Sequence, residues 1–274
     1  MSWITARRRR PAAGYVVIAG VLVIIGTAYA VIAGGSAAAS PQATPSSAQI
    51  AQGRDIFLED CATCHGLFAQ GTADAPSLIG VGAAAVNFQV STGRMPAAQQ
   101  GAENDRKPSR LNAAYTAAVA AYIQSLGGGP TVPSAAQVST AGADLGLGQQ
   151  LFVANCAACH NFVGAGGALT YGKHGPPLTD STPTQIYEAM VTGPEAMPVF
   201  NDSTLSPSAK RDIIAYVTQT RAEANPGGFS LGRVGPTTEG LVAWLGGIGA
   251  LVLAAMWITA KRREERTGEI TGNR

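Results

Sequence analysis

Two short runs of residues stand out for the chemistry they could support, Cys61-Ala62-Thr63-Cys64-His65 and Cys156-Ala157-Ala158-Cys159-His160. They hold all four cysteines of the chain. Two thiols separated by two residues, with a histidine directly after the second, form the attachment signature of c-type haem. The thiols add across the two vinyl groups, and the adjacent imidazole reaches the iron from the same side. Cys61, Cys64 and His65 would hold one haem, and Cys156, Cys159 and His160 a second. Three other uses of the cysteines compete. A single zinc site built from four cysteines gives no role to His65 or His160. Disulfides within each pair would suit an oxidising compartment but close loops too small to add much stability. A thioredoxin-like redox pair needs a βαβ setting, and none is visible.

An iron held by one histidine needs a sixth ligand if it is to carry electrons rather than bind oxygen. Met95, in Gly93-Arg94-Met95-Pro96, is the methionine available downstream of the first motif, and Met197-Pro198 stands at the matching place after the second. A lone methionine is usually a core gap-filler. The recurrence of Met–Pro favours ligation by both. Met190 lacks the following proline and reads as a packing residue on a helix. His174, the histidine outside the motifs, reads as a surface-loop residue; as a ligand it would make the second haem bis-histidine.

The elements that must position these groups occur twice. Gly53 and Phe57 lead into Cys61, and Gly148 and Phe152 lead into Cys156 in the same register. Pro76-Ser77-Leu78 matches Pro176-Pro177-Leu178, and Ala121-Tyr122-Ile123 matches Ala215-Tyr216-Val217. Landmarks recurring in one order mark a duplicated domain, expected over residues 48–126 and 143–222. Composition places linkers at 36–47, 127–142 and 223–240, rich in Gly, Pro, Ser and Ala and expected to be exposed spacers. Tyr115, Val119, Tyr122, Ile123 and Leu126 keep helical spacing up to Gly127. Ser206 followed by Pro207 predicts the start of a second such helix.

The 274 residues are 46% hydrophobic, 13% charged and 6% aromatic, and the apolar excess gathers at the two ends. Residues 12–35 carry no charge and follow Arg7, Arg8, Arg9 and Arg10 within the expected cytoplasmic segment 1–11. Residues 241–260 form a second uncharged run, bounded by Trp244 and Trp257 and followed by Lys261, Arg262, Arg263 and Arg266 in the segment 261–274. Each run is long enough to cross a hydrocarbon core of about 30 Å as a helix. The basic clusters place both termini in the cytoplasm and the repeated domains outside, in a multi-pass cell-membrane protein. The first run could instead be a cleaved signal peptide with Ala37, Ala38 and Ala39 near the cut, but it exceeds the usual apolar core of about 7–15 residues. A net charge of +2, concentrated in those clusters, supports membrane lipid as a partner and no nucleic acid. Scarce aromatics leave room for a large planar cofactor in each domain.

The spacing Gly53–Phe57–Cys61, repeated at Gly148–Phe152–Cys156, resembles the small cytochrome c fold, as do Tyr122 and Tyr216 on the last helix of each copy. That resemblance implies that the carbonyls of Pro76 and Pro176 bond the imidazoles of His65 and His160. Over nearly its whole length the chain resembles the dihaem cytochrome c subunit of the actinobacterial cytochrome bcc complex. The resemblance implies a mainly α architecture of two tandem cytochrome c domains between N- and C-terminal transmembrane helices. It also implies two covalently attached haem c groups. The implied partners are a cytochrome b subunit, a Rieske iron-sulfur subunit and an aa3-type cytochrome oxidase, in a quinol–cytochrome c reductase whose cytochrome subunit has no catalytic site of its own. The haem domains are also similar to the cbb3-type oxidase subunit, where no membrane helix follows the haems. A dihaem peroxidase is a further reading, which two methionine-ligated irons would oppose.

Overall fold

The computed structural model describes residues 11–33, 44–99, 101, 103–223, 231 and 236–272. The Arg7–Arg10 cluster, Ala37–Ala39 and most of the first and third expected linkers lie outside them. The described chain is mainly helical. Residues up to 41 form one unit, whose described part is helix α1 (Pro11–Ala33). Its side chains from Gly14 to Thr27 are exposed and apolar apart from Tyr15 and Thr27.

The second unit begins with two helical bundles built alike. In the first, α2 (Ser47–Asp60) starts where the Ser46 hydroxyl accepts the Gln49 amide, and short α3 (Ala62–His65) follows directly. Then come α4 (Gly82–Ser91) and α5 (Ala113–Ser125), the latter capped by the Asn112 side chain. Helices α2 and α5 pack closely because Gly53 has no side chain: a Cβ there would collide with the Ala118 carbonyl. Beside that crossing Phe57 and Tyr122 meet with ring centroids 5.4 Å apart, in a core of Ala62, Ala69, Val86, Val119 and Ile123. Tyr115, read as part of the same apolar stripe, is exposed at the helix start.

The second bundle repeats the plan with α7 (Leu145–Asn155), α8 (Ala157–His160), α9 (Pro183–Thr192) and α10 (Pro207–Ala222). The Ser206 hydroxyl caps α10 by accepting the Ala209 amide, with Pro207 in the first turn. Gly148 abuts the Asp212 carbonyl as Gly53 does Ala118, and Phe152 meets Tyr216 at 5.3 Å. Met190 is buried in this core, as its lack of a following proline suggested. Five more residues separate His160 from Pro176 than His65 from Pro76, 16 against 11. They are taken up by a hairpin of two-residue strands, β1 (Gly167–Ala168) and β2 (His174–Gly175).

Residues 127–142, expected as an exposed spacer, are exposed for the most part and also make specific bonds. Gln124 accepts the Ala83 amide, Pro130 accepts the Ala84 amide, and a Cβ at Gly129 would strike Gly80 and Gly82. These glycines serve close backbone approach, not looseness. Helix α6 (Ala135–Val138), closed by a Ser134–Gln137 capping box, packs on α9 and α10 of the second bundle. There Gln137 donates to the Tyr187 hydroxyl at 3.0 Å.

The two bundles touch through α4 and α9. Asn87 donates to Glu188 at 2.7 Å, Gln185 donates to Ser91 at 3.1 Å and Arg106 donates to Gln185 at 3.1 Å. His174, half-exposed on the hairpin, pairs with Glu103 of the first bundle at 3.1 Å. The chain closes with α11 (Pro236–Gly272), in which Thr238–Arg263 is long enough to cross a membrane and contains an 18-residue stretch of mean hydropathy 2.2.

Candidate functional site

Each thiol–thiol–imidazole run folds as one tight turn. Cys61 ends α2, its amide bonded to the Phe57 carbonyl, and the His65 amide bonds back to the Cys61 carbonyl at 3.0 Å. Cys156 and His160 repeat this at 2.9 Å. The imidazoles are then aimed by backbone: His65 Nδ1 donates to the Pro76 carbonyl at 2.8 Å, and His160 Nδ1 donates to the Pro176 carbonyl at 2.9 Å. Such a bond fixes ring and tautomer and leaves Nε2 as the free donor atom for a metal. Burial holds the His160 imidazole below the ordinary histidine range, with the Pro176 bond acting the other way, so the ring is kept in its neutral, ligating form.

Gly71 and Gly166 are site residues that the motif reading did not single out. Each lies six residues after its histidine and has a positive φ, 85° and 83°. A Cβ on Gly71 would strike Ser77 and Pro76, and one on Gly166 would strike Gly175 and Pro177. Their bare backbones let the proline segments close on the imidazoles. Their matching offset from His65 and His160 is the sequence signal that could have found them.

Burial, then the nearby Asp60 and Cys64, push the Cys61 thiol up to about 11; burial and Cys159 push Cys156 up to about 11. A thiol raised in this way is a poorer nucleophile at neutral pH than an ordinary one. None of the four cysteines is paired in a disulfide. Two thiols and a tautomer-fixed imidazole on one turn fit the demands of c-type haem in both bundles.

The methionine loops are also held. The Met95 amide bonds to the Gln89 carbonyl at 3.0 Å, and Lys107 donates to the Pro96 carbonyl at 3.2 Å. The Met197 amide bonds to the Pro194 carbonyl at 3.0 Å, and its side chain packs on the second core. Both methionines are partly buried.

Comparison with known proteins divides the chain as its two bundles do. The cytochrome c family profile matches residues 50–127, and that of cbb3-type cytochrome c oxidase subunit III matches residues 143–217. The cytochrome bc1 complex cytochrome c subunit of Mycobacterium leprae is 50% identical over 222 residues, which cover 79% of this chain and 77% of its own. That of Corynebacterium diphtheriae is 44% identical over 245 residues, covering 82% and 87%. The chain belongs to the family of cytochrome bc1 complex cytochrome c subunits. The two bundles are its two cytochrome c domains, which bind haem c covalently. A cbb3-type cytochrome c oxidase subunit, FixP of Bradyrhizobium diazoefficiens, is 27% identical over 190 residues, covering 61% of this chain. Membership of the bc1 family and the apolar part of α11 together make this a membrane-associated electron-transport protein.

Proposed function

We propose that this chain is the dihaem electron-transfer subunit of a membrane quinol-oxidising cytochrome bc complex. The observation that carries the reading is the duplicated Cys-x-x-Cys-His turn in a chain related along most of its length to cytochrome bc1 complex cytochrome c subunits. Cys61 and Cys64 would hold one haem c, and Cys156 and Cys159 a second. His65 and His160 would be the proximal ligands, Met95 and Met197 the sixth, and Pro76 and Pro176 would orient the imidazoles. When bound, each haem supplies one-electron iron chemistry, with methionine ligation raising its potential.

The first domain would take the electron from a Rieske iron-sulfur protein beside the cytochrome b subunit, and the second would pass it to an aa3-type oxidase. The chain would serve the reductase without a catalytic site of its own. Gly53–Leu126 and Gly148–Arg221 each carry one more acidic than basic side chain. Neither has the strong charge of a carrier that finds its partner by long-range steering. Tethering both domains in one chain replaces that encounter with a high effective concentration.

Helices α1 and α11 would both span the cell membrane, with the termini in the cytoplasm and the haem domains on the extracytoplasmic face. The exposed apolar surface of α11, including Trp244 and Trp257, supports this, as does Lys261 lying over the Trp257 ring at its basic end. In membranes, replacing His160 should block oxygen consumption from quinol while still permitting reduction of the first haem. Replacing His65 should leave both haems unreduced by quinol. Loss of first-haem reduction in the His160 variant would reverse the order of transfer.

A further inference from the structure

One side chain reaches from the methionine loop of the second domain to that of the first. Glu195 stands two residues before Met197, and its φ of 57° lies in the left-handed region that residues with side chains seldom adopt. Its Oε1 accepts the Asn104 amide of the first domain at 2.7 Å and lies 3.9 Å from Nε of Arg94, the residue before Met95. Arg94 is itself buried, with its guanidinium 5.1 Å above the Phe88 ring and its Nη1 without a hydrogen-bond partner. A buried guanidinium depends on neighbouring acids. Asp105 of its own domain acts on it, but among the described residues the acid within ion-pair distance is Glu195, from the other domain. The remaining ties across the boundary fall on α4, α9, Arg106 and the His174 hairpin; among the described residues, Glu195 is the contact that bears on both methionine loops.

We propose that Glu195 is a positioning residue for electron transfer between the two haem sites. It pins the loop that carries the second site's methionine to the loop that carries the first, and so sets the gap the electron must cross. The proposal rests on the dihaem reading above. The haems, when bound, would supply one-electron iron chemistry, with the electron passing from the first domain's site to the second's. No bond is made or broken and no proton moves, so Glu195 acts only through placement. A left-handed backbone at a residue with a side chain is strained. That strain here holds a carboxylate across a domain boundary.

The test uses the haem-loaded full-length chain in its purified complex. The first haem is reduced by a light pulse and the appearance of the reduced second haem is followed, while spectra and midpoint potentials of both haems are recorded. Glu195→Ala is expected to slow interdomain transfer measurably, because tunnelling falls steeply as the gap between the two haems widens. Haem content, spectra and both potentials should stay at wild-type values. Glu195→Gln keeps an acceptor for Asn104 and should fall between the two. The exchange Arg94→Glu with Glu195→Arg should recover part of the rate. Transfer at the wild-type rate in Glu195→Ala overturns the proposal, and so does an altered spectrum or potential, which would mark a merely structural role. A wild-type chain carrying fewer than two haems would remove the dihaem reading as well; two intact haems with unchanged transfer in Glu195→Ala would remove this proposal alone.

Discussion

Replacing Glu188 by glutamine should stabilise the second domain, and increasingly so as the pH rises. Glu188 lies on α9 with no exposed surface. Its Oε1 accepts from Asn87, while Oε2 is buried with no hydrogen-bond partner. Burial pushes this acid from 4.5 up to about 8, the Asn87 bond pulling the other way. Between those values the folded chain keeps a proton that the unfolded chain has released. Stability therefore falls as pH rises through that window and is unaffected by this group below 4.5. At pH 7 the cost is about 3–4 kcal/mol, from roughly 2.5 pH units at about 1.4 kcal/mol each. Glutamine keeps the shape and the acceptor for Asn87 and removes the titration, so the variant should gain about 3–4 kcal/mol at pH 7 and almost nothing near pH 4.5. Denaturant unfolding of the haem-loaded chain in detergent, followed through the circular dichroism of the haem band, measures the gap. A gap of equal size at pH 5 and pH 8 would refute the reasoning, because a group that titrates normally in the fold leaves no pH-dependent difference.

Two further outcomes are expected. Gly148→Ala should cost about 1–3 kcal/mol or more, because its Cβ would collide with the Asp212 carbonyl. Gly146→Ala, whose Cβ would meet Asp144 Oδ1 at 3.4 Å, should be close to neutral in the same unfolding measurement. Met95→Ala and Met197→Ala should each remove about half of the methionine–iron charge-transfer absorption. An unchanged spectrum in Met197→Ala together with a changed one in His174→Ala would reassign the second site.

What was legible in the sequence follows from how local each signal is. The turns at Cys61–His65 and Cys156–His160, the glycine crossings at Gly53 and Gly148 and the Ser206-Pro207 helix start all depend on residues close in sequence or on a repeated register. The ties between domains do not. Glu188 and Gln185 sit on a short helix where polar residues ordinarily face water, and nothing in their neighbours announces that Asn87, Ser91 and Arg106 will cover them. Lys210 is similar: it is completely buried, paired with Asp202 at 2.6 Å and bonded to the Leu205 carbonyl, yet its surroundings read as an exposed helix turn. The bonds made by residues 127–142 were hidden for a different reason. Composition reports that glycine is present but not whether it serves freedom or contact, and Gly127 and Gly129 serve contact with Gly80 and Gly82.

The segment from Gly127 to Val138 is stitched at its beginning to the first domain and at its end to the second, and this bears on how such a duplicated chain can be recombined. A graft cut at the composition boundary, after Leu126, would strip the first domain of the Pro130 carbonyl that caps the Ala84 amide. A cut at Gly142 would leave Tyr187 in the second domain without Gln137. Neither repeat is a cassette with a free end. The break that respects both sets of contacts lies after Val132, which packs on the first core, and before the Ser134 cap, and chimeras joined there should retain haem where those joined at either composition boundary lose stability.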